Sequence, residues 1–187
     1  MKNKEIYIML TGTSSVLSRI IKFYTKKPYN HASIAFDPEL KEVYSFGRKR
    51  MANPFLGGFV KEDVTQGLFK NATCIIYSLR ITEEQYESIK QLINDFERHK
   101  DDYRYHFIGL IGFLINKPIK RKKAFFCSQF VATTLKESQV TNFDKPLQLV
   151  SPFDLQEIEM LDVIYEGDLQ SYLKQSERWY ERTSVTA

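Results

Sequence analysis

Short apolar runs typical of strands alternate along this chain with stretches whose apolar residues recur at helical spacing. The run Ile6–Leu10 predicts a buried strand, and Thr73–Ile81 predicts another. Between them, His31–Phe36 and Glu42–Phe46 flank the turn signal Asp37–Glu39, which predicts a β-hairpin. This mixture predicts an α+β fold, with helices packed on a small antiparallel sheet.

Caps and apolar stripes indicate where the helices begin and end. Thr82 and Gln85 form a capping-box pattern ahead of a helical stripe that ends at Phe96. Residues 47–72 have weak periodicity and are expected to form a long loop. The remaining expected elements are a helix from Ser14 or Ser15 to about Tyr24, helices at about 105–115 and 127–138, a short helix opened by Ser151 and Pro152, and a strand at Asp162–Tyr165.

Length and composition limit the classes of protein that remain. A chain of 187 residues with 43% hydrophobic and 27% charged residues is expected to form one globular domain, 1–187. A net charge of +4 is too small to indicate nucleic-acid binding. The longest apolar stretch, Tyr105–Ile115, is too short to span a membrane, and the N-terminus has no signal-peptide pattern. A soluble, cytoplasmic protein without an integral membrane segment is therefore expected.

Cys127 stands where a predicted helix begins. A thiol in the first helical turn is exposed to the positive end of the helix dipole and to free backbone N–H groups, which favour the thiolate. The same N–H groups can stabilise an oxyanion. The alternative is a buried structural cysteine, a common role for this residue type. Cys74 lies inside a predicted strand and is interpreted as a core residue.

His31 is the best candidate for a catalytic base among the three histidines. It begins a strand near a loop, where its side chain can reach a cleft. His99 lies among charged residues and is interpreted as a solvated helix end, whereas His106 is interpreted as a core histidine.

An imidazole base needs a third group that fixes its orientation and tautomer. If the hairpin turn has three residues, Ser45 lies opposite His31, and any odd turn length keeps Ser45 on the same face. Ser45 is therefore a candidate orienting residue. Glu42 and Glu62 are alternatives, and Ser45 can also be an ordinary strand serine.

One cluster of basic residues lies between two predicted helices. It is interpreted as a solvated loop, or as a lip that attracts acidic substrates and favours a thiolate at Cys127. The three histidines and two cysteines lack metal-ligand spacing, so neither a metal nor another cofactor is expected. The cluster consists of Lys117, Lys120, Arg121, Lys122 and Lys123.

Two segments together resemble a known bacterial family. Tyr29–Ala35 and Phe126–Ala132 are similar to the YiiX/YebB-like branch of the circularly permuted NlpC-type papain-like cysteine hydrolases. In that branch the strand that carries the histidine precedes the helix that carries the cysteine, as it does here. The resemblance covers roughly residues 5–165. Further similar segments are Leu10–Gly12, Gly57–Glu62 and Val150–Leu155.

The resemblance implies a permuted papain-like fold, in which an antiparallel sheet or small barrel packs against helices. It also implies a cysteine peptidase or amidase with Cys127 as nucleophile and His31 as base. Ser45 matches the family's third polar residue, where Glu or His is more usual. The implied substrate is a small peptide, amide or acyl compound.

Two other functions are compatible with the same motifs. A thiol acyltransferase or lipid-directed hydrolase would need an apolar groove, for which Phe107, Leu110 and Phe113 are candidates. A non-catalytic binding module is the third possibility, since Ser45 departs from the usual pattern. The motifs do not specify the oligomeric state.

Overall fold

Six antiparallel strands form the central sheet of the protein, in the order β4-β3-β2-β1-β5-β8, and β6 and β7 form a separate parallel pair. The structure is a computed structural model that describes residues 3–13, 26–48 and 57–184. The strands are β1 (Asn3–Gly12), β2 (His31–Ala35), β3 (Val43–Arg48), β4 (Gly57–Lys61), β5 (Thr73–Thr82), β6 (Arg104–Tyr105), β7 (Ala124–Phe125) and β8 (Leu161–Asp168).

Helices lie against this sheet, so the predicted α+β class is confirmed. Within the described ranges, no helix has the length and apolar character needed to cross a lipid bilayer. The helices are α1 (Glu83–Arg98), α2 (Phe107–Leu114), α3 (Cys127–Glu137), α4 (Pro152–Gln156) and α5 (Leu169–Ser184), with 3-10 turns at Gly67–Phe69 and Leu147–Leu149.

The sheet is apolar on both faces. Alternate residues of β1 point to opposite sides, so Ile8 belongs to one buried cluster and Met9 to the other. Ile93 of α1 and Phe130 of α3 lie in the first cluster, and Leu173 of α5 lies in the second. The sheet therefore forms the middle layer of the molecule.

Aromatic rings fill much of the first cluster, as the 14 Phe and 11 Tyr predict. Phe46 of β3 is fully buried. Its ring centroid lies 5.1 Å from that of Phe125 and 5.3 Å from that of Phe130. These contacts attach α3, and the segment before it, to β3.

Most elements occur where the sequence predicts them. The capping box of α1 is present, with Thr82 Oγ1 accepting from the backbone N–H of Gln85 at 3.2 Å. The predicted helix ending near Tyr24 lies outside the described residues. The long loop predicted at 47–72 is wrong in part, because 57–61 forms β4 beside β3. The helix α5 was not predicted.

Replacing Phe46 by Ala is expected to lower the free energy of unfolding by about 3–5 kcal/mol, because it empties a fully packed site. Urea denaturation measures this change. The matched control is Phe153→Ala, since Phe153 is 38% exposed. It should cost no more than about 1 kcal/mol, the value of its contact with Lys27. Equal losses in the two variants would contradict the assigned core.

Candidate active site

The start of β2 is fixed by hydrogen bonds from the residue before His31. The backbone N–H of Asn30 donates to the carbonyl of Thr11 at 3.0 Å. The side-chain amide of Asn30 donates to the carbonyl of Thr13 at 3.2 Å and accepts from the Thr13 N–H at 3.2 Å. Because Asn30 is buried, this arrangement holds the backbone at His31 against β1.

Glu62 follows β4, and its carboxylate accepts three side-chain hydrogen bonds. His31 Nε2 donates to Oε1 at 2.7 Å, and Ser45 Oγ donates to the same oxygen at 2.6 Å. Ser33 Oγ donates to Oε2 at 2.5 Å. The side chains of Glu62 and His31 are only 6% and 15% exposed. The three donors replace the water that a buried carboxylate has lost.

The register of the hairpin corrects the predicted place of Ser45. Ile34 pairs with Tyr44, which places Ser45 opposite Ser33 and not opposite His31. The difference is two residues, so Ser45 stays on the face of β3 that the sequence predicts.

The turn is longer than the three residues assumed, because Phe36 N–H donates to the carbonyl of Glu42, leaving residues 37–41 in the turn. Ser45 therefore donates to Glu62 and is not the residue that orients His31. Glu62, which the sequence offers only as an alternative, contacts the imidazole. Glu42, the other alternative, lies near Lys61 at 4.0 Å.

Glu62 and His31 form a buried ion pair. Burial by itself lowers the pKa of His31, but the charge of Glu62 and the nearby Cys127 outweigh it, and the pKa lies well above its usual value. Burial by itself raises the pKa of Glu62, yet His31 and the two serine hydroxyls bring that pKa below its usual value. The imidazole is therefore held in its protonated form beside a carboxylate.

Cys127 is the first residue of α3, and its side chain meets the same imidazole. After burial and the charge of Glu62, the nearby Cys127 side chain is a further cause of the shift in the pKa of His31, and it raises that pKa. Since Nε2 is occupied by Glu62, Nδ1 is the ring nitrogen left for the sulfur. Phe126 precedes Cys127 in an extended conformation and provides no side-chain cap. The backbone N–H groups of the first turn are therefore left for another acceptor.

Two structural links hold the start of α3 in place. The strands β6 and β7 pair in parallel just before it, and His106 N–H donates to the carbonyl of Phe125 at 2.9 Å. Ser128 Oγ donates to the carbonyl of Val150 at 2.7 Å. Both links are close in sequence to Cys127, so they hold the backbone that carries its side chain.

An apolar pocket adjoins Cys127. It contains about 450 Å³ of empty space, part of which is open to solvent. Leu110 and Phe113 line it, as the groove predicted from the sequence requires, whereas Phe107 is not among the lining residues. The rest of the lining consists of the mainly apolar Tyr29, Tyr105, Phe126 and Pro152 and the polar Lys27, Asn30, Ser128 and Ser151.

The other candidate residues occupy structural positions. Cys74 is fully buried, and burial raises the pKa of its thiol to about 12, so it is a core residue as predicted. His99 lies at the exposed C-terminal end of α1, where Nδ1 donates to the carbonyl of Asp95 at 2.9 Å. His106 is buried with both ring nitrogens hydrogen-bonded, also as predicted. Across the described ranges, no three His, Cys, Asp or Glu side chains form a group suited to a metal ion.

Replacing Glu62 by Gln is expected to lower the pKa of His31, because it removes the negative charge that stabilises the imidazolium. The His31 ring would then lose its proton at a lower pH than in the wild type. Histidine ring signals followed by NMR across a pH titration measure the change, with His31→Gln assigning the signal. Glu42→Gln is the matched control and should leave the titration of His31 unchanged. Equal titration of His31 in wild type and Glu62→Gln would contradict the ion pair.

Known proteins give no independent indication of the chemistry. No family model, curated protein or solved structure matches this chain. The resemblance carried by the segments around His31 and Cys127 therefore stays a prediction, and the geometry of these side chains is the basis for assigning a function.

Proposed function

We propose that this protein is a cysteine hydrolase in which Cys127 attacks an acyl carbon and His31 transfers the proton. The observation that carries the proposal is the buried ion pair of Glu62 and His31, whose imidazole also meets a thiol at a helix N-terminus. Burying an ion pair costs free energy that apolar packing of the same volume would not. Groups with strongly shifted pKa values are concentrated at functional sites.

In the first half of the reaction, the thiolate of Cys127 forms a bond to the acyl carbon of an amide or ester. The carbonyl oxygen becomes an oxyanion, and the free backbone N–H groups at the start of α3 stabilise it. The His31 imidazolium gives its proton to the leaving amine or alcohol as the bond to the acyl carbon breaks. The product at this stage is a thioester on Cys127.

In the second half, neutral His31 takes a proton from a water molecule, and the resulting hydroxide attacks the thioester. The carboxylic acid leaves, and the Cys127 thiolate and His31 imidazolium are restored. Glu62 does not contact the substrate in this scheme. It is a positioning residue that fixes the ring of His31 and stabilises its charge.

The same features agree with a permuted papain-like fold of the NlpC type. His31 lies on a strand of an antiparallel sheet, and Cys127 lies on a later helix that packs on β2 and β3. The contact of Glu62 with His31 supports an enzyme over a binding module, because the binding-module interpretation depended on Ser45 as the third residue. A peptidase or amidase activity is the first candidate.

A lipid-directed hydrolase or thiol acyltransferase is the second candidate, and the apolar pocket favours it. Leu110 and Phe113 lie in the wall of a pocket that also includes Cys127. An acyl chain bound there would place its carbonyl carbon near the sulfur. Peptide backbones, which are polar, gain less from such a lining.

Iodoacetamide is expected to alkylate Cys127 at neutral pH about tenfold or more faster than Cys74. Cys127 lines a pocket beside the His31 imidazole, whereas Cys74 is fully buried and burial raises the pKa of its thiol to about 12. Mass spectrometry of each cysteine peptide over time measures the two rates. His31→Ala should slow the alkylation of Cys127 itself by about tenfold, whereas the matched control His99→Ala should leave that rate unchanged. Slow, equal labelling of both cysteines in the wild type would contradict the proposal.

Chain length in the substrate distinguishes the two candidates. If the pocket binds an acyl chain, kcat/KM for p-nitrophenyl esters should rise by up to about fourfold for each added CH₂ from acetate to octanoate. Leu110→Phe should reduce kcat/KM for the octanoate ester and leave kcat/KM for the acetate ester unchanged. Rates independent of chain length, with faster cleavage of peptide amides, would instead assign the site to an amidase.

A further inference from the structure

The outer side of α2 is an exposed apolar stripe. Ile108, Ile111 and Ile115 are 53%, 59% and 58% exposed. Their spacing of three and four residues places them on one side of the helix axis. Leu110 and Phe113 lie on the other side, in the wall of the pocket beside Cys127. Exposed contiguous apolar side chains of this kind mark an interaction surface.

The loop after α2 is basic, and it begins directly after Ile115, the last residue of this stripe. Lys123 is paired with Asp102 at 2.7 Å. Within the part of the chain that the structure describes, the other four cations of the loop are exposed and make no ion pair. These four are Lys117, Lys120, Arg121 and Lys122. We call them, together with the three isoleucines, the α2 surface.

The loop is fixed to α2 by buried contacts. His106 Nδ1 accepts from the N–H of Gly109 at 3.2 Å, and Nε2 donates to the carbonyl of Ile119 at 2.9 Å. A Cβ at Gly109 would clash with the His106 ring, and one at Gly112 would lie 2.6 Å from the carbonyl oxygen of Lys117. Gly109 therefore makes room for the histidine ring that binds the loop, and Gly112 lets the loop lie close to the helix. These contacts attach the loop to α2 at Lys117 and Ile119.

We propose that the α2 surface docks on a lipid bilayer that contains anionic headgroups. Apolar side chains flanked by Lys and Arg are suited to the boundary between acyl chains and headgroups. There the apolar side chains insert among the acyl chains, and the Lys and Arg side chains contact phosphate groups. A nucleic acid would use the cations but not three exposed isoleucines. A second copy of this chain would bring two basic loops together in a symmetric contact, and their repulsion opposes it.

Docking would leave the pocket beside Cys127 one helix away from the membrane, since α2 presents the isoleucines on one side and lines the pocket on the other. The proposal does not depend on the hydrolase activity. Binding to lipid requires only the stripe and the cations, so the variant Cys127→Ala should bind vesicles as the wild type does.

The test is co-sedimentation of the full chain with large vesicles of phosphatidylcholine, alone or in an equimolar mixture with phosphatidylglycerol. The wild type should bind only the mixed vesicles. Binding should weaken when NaCl rises from about 0.1 M to about 1 M, because the Debye length falls from about 10 to about 3 Å.

Two triple variants remove the two halves of the α2 surface. Each variant should lower the vesicle partition coefficient by at least about tenfold. The apolar variant combines Ile108→Ser, Ile111→Ser and Ile115→Ser, and the basic variant combines Lys120→Glu, Arg121→Glu and Lys122→Glu. All six positions are exposed, and circular dichroism verifies that the variants fold.

Matched controls alter equally exposed residues elsewhere. The control for apolar area is the triple variant Met160→Ser, Val163→Ser, Ile164→Ser. The control for net charge is the triple variant Lys70→Glu, Lys136→Glu, Lys174→Glu. Both controls should bind mixed vesicles like the wild type.

Three results would overturn the proposal. The first is a wild type that does not bind mixed vesicles, and the second is equal loss of binding in the controls and the α2 variants. The third is a dimer, seen by analytical ultracentrifugation, that the isoleucine variant converts to monomer while vesicle binding is unchanged. Loss of esterase activity in Cys127→Ala with vesicle binding retained would separate docking from catalysis.

Discussion

The buried carboxylate of Glu62 imposes the strictest physical requirement in this structure, because a buried charge is tolerated only with close donors. Those donors come from two strands, with Ser33 and His31 on β2 and Ser45 on β3. The pairing of β2, β3 and β4 is thus a condition for the protonated imidazole that meets Cys127.

Elements with strong local signals could be predicted from the sequence. The capping box of Thr82 and Gln85, the apolar run of β1 and the placement of Cys127 at the first turn of a helix all depend on neighbouring residues. The roles of Cys74 and His106 followed for the same reason, since each is determined by its own strand or helix start. Local patterns were therefore sufficient to predict most of the secondary structure and two of the site residues, Cys127 and His31.

The role of Glu62 could not be obtained in this way, because it depends on contacts between distant strands. Gly57 and Gly58 favour a turn when considered alone, but in the sheet they pair with β3, and the strand brings Glu62 beside Val43, where its N–H donates to that residue's carbonyl. The hairpin register depends on turn length, which the segment Asp37–Glu39 left uncertain by two residues. An error of that size preserves the face but changes which residue meets the imidazole.

The exposed edge strand β8 has a consequence for self-association. An edge strand offers unpaired backbone groups to another chain, and the exposed Val163 and Ile164 would add to the attraction. Two copies that meet antiparallel about Tyr165 would place Asp162 of one opposite Asp168 of the other. Like charges directly opposite each other are destabilising. The acidic ends of β8 thus oppose this symmetric extension of the sheet from one molecule into the next.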